Sequence, residues 1–70
     1  DRVRADCDED GRWLVVARGR LRIAVNLGPG AAALPLGRPG TGLLAASGAG
    51  VAIGGDTVTL PATAFAVVRT

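Results

Sequence analysis

Trp13-Leu14-Val15-Val16-Ala17-Arg18-Gly19-Arg20-Leu21-Arg22-Ile23-Ala24-Val25-Asn26-Leu27 is the stretch on which the fold turns. From Trp13 to Ala17 it is apolar and rich in valine, the composition of a strand. Gly19-Arg20 is a two-residue link, and glycine in its first position suits a type II′ hairpin turn. From Leu21 the chain alternates with a period of two, so Leu21, Ile23, Val25 and Leu27 share one face of a return strand. The segment is a β-hairpin.

The chain on either side keeps the same character. Upstream, Arg2 to Asp6 alternates charged and apolar residues, as a half-exposed edge strand does, and Asp8-Glu9-Asp10 runs into Gly11 as an expected turn. Downstream, Gly28-Pro29-Gly30 breaks the return strand. Ala31 to Leu36 is rich in alanine, which favours helix, but it is short and reaches Pro35, so a strand is expected. Leu43 to Ala46 is a short apolar strand stopped by Ser47-Gly48. Val51-Ala52-Ile53, the turn Gly54-Gly55-Asp56 and the alternating Thr57-Val58-Thr59-Leu60 make a second hairpin. Pro61 ends it, and Phe65 to Arg69 closes the chain. Turn signals at a spacing of about eight to ten residues predict an all-β fold, a small antiparallel β-sandwich of about seven or eight short strands.

Length allows one domain, expected over residues 1–70. A chain that opens on Asp1 and not Met is expected to begin inside a longer reading frame. All eight cations are Arg and none is Lys, which together with abundant Ala, Gly, Val and Pro suits a GC-rich bacterial genome. The net charge of +2 is weak, and only Arg18, Arg20 and Arg22 cluster, as a solvated hairpin edge. Nucleic-acid binding calls for a denser basic stripe with stacking aromatics, so no nucleic-acid partner is expected. No apolar run is long enough to span a bilayer, and no membrane partner is expected. The single cysteine, Cys7, cannot form an internal disulfide and fits a reducing cytoplasm.

The side chains that catalysis needs are sparse. His is absent, and with it the commonest proton-transfer group and metal ligand. Cys7 stands among Asp6, Asp8, Glu9 and Asp10, whose charge disfavours a reactive thiolate. Asp6, Asp8 and Asp10 imitate the start of an EF-hand loop, but its twelfth position is Ala17 and not Glu. Gly28-Pro29-Gly30 and Gly48-Ala49-Gly50 lack the Lys-Ser/Thr of a phosphate loop. No catalytic, metal or cofactor-binding residue is therefore assigned. Trp13 is the one residue singled out. A flat aromatic can stack on a sugar ring, but it more often anchors a core or an interface, and Phe65 has the same ordinary reading. Asn26, near the end of its strand, is expected to bond to local backbone at the bend.

The order of these features resembles the C-terminal β-sandwich domain of alpha-amylase-family glycosidases. The hairpin from Trp13 to Gly28 is similar to that family's pattern of strand, Arg-Gly and a strand ending in Val-Asn-Leu. Leu43-Leu44-Ala45-Ala46-Ser47-Gly48 resembles its leucine-rich strand. The run from Thr57 through Leu60-Pro61 to Arg69 resembles its closing strand. The acidic lead-in to Gly11-Arg12-Trp13-Leu14-Val15 is most like the trehalohydrolases among its members. The resemblance implies a non-catalytic accessory domain that packs on a catalytic (β/α)₈ barrel of the same polypeptide. It implies a parent enzyme that releases trehalose from maltooligosyl-trehalose, with every catalytic carboxylate in the barrel. It leaves a second possibility, an autonomous module that binds α-glucan through Trp13. These are family-level implications.

Overall fold

The computed structural model describes residues 3–8, 10 and 12–70. Eight strands form two antiparallel sheets, with no helix among the described residues. They are β1 (Val3–Asp8), β2 (Trp13–Arg18), β3 (Leu21–Asn26), β4 (Ala32–Pro35), β5 (Gly42–Ala46), β6 (Ala52–Gly54), β7 (Thr57–Leu60) and β8 (Ala64–Arg69). The larger sheet has the order β1-β2-β3-β8-β5 and the smaller has β4-β7-β6. The expected sandwich is the one observed.

The two hairpins turn on glycine. Gly19 takes φ +58° while Arg20 stays at negative φ, the pattern of a type II′ link, and the strands pair from Arg18↔Leu21 to Trp13↔Asn26. Gly55-Asp56 joins β6 to β7 in the same way, with Gly55 at +59°. Everywhere after β3 except that hairpin, the chain passes from one sheet to the other. β8 returns to lie between β3 and β5, so the last strand closes the larger sheet. Pro35, which has no N–H to donate, ends the edge strand β4.

Strand ends differ from the sequence expectation in small ways. β1 extends through Cys7 and Asp8, which pair with Leu14 and Trp13, so Asp8 is ladder and not turn. Arg2, Glu9 and Gly11, parts of the expected strand and turn, lie outside the described residues. Leu27 falls beyond β3 and Leu36 beyond β4, although Leu36 is still buried.

The core lies between the sheets. The larger sheet contributes Val15, Ala24, Ala64, Ala66 and Val68, while the smaller side contributes Leu34, Leu36, Val58 and Leu60. The larger sheet's inward face is thus mostly small, and the aliphatic bulk comes from the other side. Small side chains on one layer let the facing leucines seat closely against the strands.

Two polar side chains share the inward face of β3 with Ala24. Asn26 has no exposed surface, and Arg22 is nearly as buried. Asn26 Nδ2 donates to the carbonyls of Gly30, Leu60 and Pro61 at 2.9, 3.1 and 3.1 Å, and Oδ1 accepts from Gly28 N–H at 2.9 Å. The local bonds at the bend are those expected. The bonds to Leu60 and Pro61 add a tie from β3 to the end of β7. Arg22 corrects an expectation: it is not part of a solvated hairpin edge, although Arg18 and Arg20 are exposed. The alternation that turns Ile23 outward turns Arg22 inward, where backbone carbonyls accept its protons.

Candidate functional site

The side chains left over by the core define the site. In an antiparallel ladder, residues directly opposite one another project to the same side of the sheet. Val15↔Ala24↔Ala66 is an inward row, so the neighbouring rows face away from the sandwich. One of these is Ala5↔Val16↔Ile23↔Val67↔Ala45, and another is Cys7↔Leu14↔Val25↔Phe65. A third, Val3↔Arg18↔Leu21↔Arg69, closes the hairpin end with two arginines.

The face is apolar and uncovered. Ile23 is 45% exposed, Phe65 43%, Leu21 40% and Leu14 37%, while Val16, Val25 and Val67 are half-buried by their neighbours alone. Four strands at about 4.8 Å spacing and five residues at about 3.3 Å rise give roughly 300 Å² of sheet plane. Inter-domain interfaces bury about 600–1,500 Å² over both partners, so this face suffices for one side of a small one. Rimmed by Arg18 and Arg69, it matches in size the largest apolar patch of an ordinary monomer, and such patches often serve as contact surfaces.

The sequence carried a signal for this surface that periodicity obscures. Trp13 to Ala17 and Ala64 to Val68 are uninterrupted apolar runs, which belong to strands buried on both faces. Here one face of each is buried and the other is bare. Phe65, read from the sequence as an ordinary core or interface anchor, stands on the bare side and outside the core.

Trp13 is placed differently. It sits on the inward side of β2 at the end of its row, half-buried and packed against the core cluster. Its remaining surface lines an open groove of about 530 Å³ with Cys7, Asp8, Arg12, Leu14 and Leu27. Cys7 is exposed on β1. Asp6, Asp8 and Asp10 do not gather: among the described residues no cluster of His, Cys, Asp or Glu could hold a metal ion. Asp8 Oδ1 instead accepts from Asp10 N–H at 3.0 Å. Asp56 is exposed in the β6–β7 turn, where its carbonyl accepts from Leu36 N–H at 2.7 Å. Among the described residues no helix is long and apolar enough to cross a membrane.

A protein-family model described as a domain of unknown function (DUF3459) matches residues 1–67. No curated protein and no solved structure matches the chain.

Proposed function

The chain belongs to that family, a domain typically found at the C-terminus of alpha-amylase-family enzymes, and from this premise we propose that it is a non-catalytic accessory domain that stabilises a catalytic barrel. The observation that carries the proposal is the bare apolar face of the larger sheet. Its occupant is the (β/α)₈ domain of the same polypeptide, whose outer ring of helices supplies the facing surface. Docking removes from water the remaining exposed surface of Ile23, Phe65, Leu14 and Leu21, each 37–45% exposed, so each gains somewhat under half of the roughly 1.5–3 kcal/mol that full burial of such a side chain is worth. The parent enzyme is read as a glycoside hydrolase resembling malto-oligosyltrehalose trehalohydrolase, on the likeness of Gly11-Arg12-Trp13-Leu14-Val15 and its acidic lead-in.

Deleting the domain from the full-length polypeptide tests the role. The reading expects a lower melting temperature for the remaining barrel and new binding of a hydrophobic dye to it. A barrel that melts unchanged after the deletion would refute it. Release of trehalose from maltooligosyl-trehalose by the full-length polypeptide tests the finer assignment on its own.

The groove beside Trp13 supports the second reading, an α-glucan-binding module, because Asp8 and Arg12 could bond to sugar hydroxyls there. The packing of the indole against the core weighs against it, since a stacking platform needs an open ring face. Titration with maltoheptaose separates the two: unmoved Trp13 resonances at millimolar sugar exclude the module.

A further inference from the structure

Arg22 places a charge where a sandwich ordinarily buries an aliphatic side chain. It is 8% exposed. Its Nε donates to Leu36 O at 2.8 Å, and Nη1 donates to Gly19 O at 2.8 Å and to Leu21 O at 3.0 Å. These bonds pin the guanidinium through two of its nitrogens. The third, Nη2, has no partner among the described residues. No buried side-chain nitrogen or oxygen there is left unbonded, so Nη2 reaches solvent. Arg22 also stands on the wall of a cavity of about 280 Å³, with Arg4, Asp6, Ala17, Gly37 and Arg38.

The fold builds this hollow. Arg4, Ala17 and Arg22 form one inward row across β1, β2 and β3. The smaller sheet has three strands against five and leaves the β1 side of that row open. Ala17, between two arginines, supplies the depression. Arg38 arrives from the loop after β4, where Gly37 turns the chain with φ +76°. Three arginines and one carboxylate, that of Asp6, thus line the hollow.

A desolvated cation whose bonding partners are neutral carbonyls gains most from a counter-charge. The planar guanidinium fork suits an oxyanion, which it can grip through two parallel N–H bonds. We propose that this cavity binds a small, singly charged oxyanion, a carboxylate or monobasic phosphate, seated on Arg22 Nη2 and closed by Arg4 and Arg38. Asp6 disfavours a ligand of higher charge. The site is separate from the apolar face, on the opposite side of the same sheet, and does not depend on what covers that face.

Nitrogen-15 spectra of the chain, observing the Gly37 amide and the arginine Nε–H groups, test the site. The probes are sodium acetate and sodium phosphate, each against sodium chloride at equal ionic strength. Saturable shifts at Gly37 and Arg22 with the oxyanions, and none with chloride, are expected. Arg4→Ala and Arg38→Ala remove exposed side chains outside the core and should each weaken binding about two- to fivefold, the worth of an exposed ion pair. Asp6→Asn should tighten it, a gain that a merely structural role for the cluster does not predict. Shifts that track ionic strength alone would overturn the proposal. So would an Arg4→Ala/Arg38→Ala double variant that binds as tightly as the unsubstituted chain.

Discussion

Asn26 shows how much one side chain can decide. Its amide meets three carbonyl oxygens and one N–H, so the orientation of its oxygen and nitrogen is fixed by the partners. Substitution by Asp puts a carboxylate against those three carbonyls in a site with no exposed surface. Asn26→Asp should cost on the order of 3 kcal/mol or more at neutral pH, by lost bonds and a buried charge. The sign of the pH dependence follows. The introduced carboxyl has a folded-state pKa raised above its unfolded value of about 3.9, so the variant keeps most stability below that value. It loses stability as pH rises through the raised folded-state pKa. Urea midpoints at acid and neutral pH check this; a variant more stable at neutral than at acid pH, relative to the unsubstituted chain, contradicts it. Thr63 is the opposite case, a residue in a conformation it does not favour. It takes φ +54° in the exposed turn before β8, where a β-branched side chain is strained. Thr63→Asn, which tolerates that region, should raise stability by about 0.5–1 kcal/mol, read as a higher urea midpoint.

At the scale of the element, the crossing from β4 back to β5 is held by its tightest point. Gly40 N–H donates to Gly55 O at 2.9 Å, and a methyl group at Gly40 would lie 2.7 Å from Ile53 Cγ2, 3.2 Å from Leu36 Cδ1 and 3.3 Å from Val68 Cγ1. Those atoms belong to both layers, so neither can retreat without opening the core. Gly40→Ala should destabilise by about 1–3 kcal/mol, as overpacking does. Gly30→Ala, where a methyl group meets nothing within 4 Å and φ is not positive, should be close to neutral in the same denaturation assay. The hairpins were readable in advance for a physical reason: Gly19 and Gly55 supply the positive φ that a two-residue link needs, and local chemistry sets the register. Ala31 to Leu36 was readable as a strand only because Pro35 outweighs the helical preference of alanine. What alternation could not reveal was which face of β3 turns inward. It groups Leu21 with Ile23 and Val25, and Arg22 with Ala24 and Asn26, but both groups can be buried. The choice is made by partners distant in sequence: the carbonyls of Leu36 and Leu60, and leucines that fit over Ala24 and Ala66. The apolar face was therefore written in the sequence, while its exposure was a property of the assembled sheets.

Over the whole molecule, the two faces of the larger sheet make separable contributions, and substitutions can divide them. Ile23 and Phe65 project away from the core on adjacent central strands, while Ala66 on the same strand as Phe65 projects into it with no exposed surface. If the outward face exists to meet a catalytic domain, charging it should spare the sandwich and damage the assembly. Ile23→Lys/Phe65→Lys should leave the urea midpoint of the chain within about 0.5 kcal/mol of its original value per site, as surface substitutions do. Hydrophobic-dye binding should fall, because the apolar patch is broken. In the full-length polypeptide the same pair should lower the melting temperature of the barrel as far as deletion of the domain does, since a charge buried at an interface without a partner opposes docking. Ala66→Lys should instead unfold the sandwich in the chain alone. A double variant that docks and protects the barrel undiminished would show that the contact lies elsewhere, and the bare face of the larger sheet would then have to be accounted for by an occupant other than the catalytic domain.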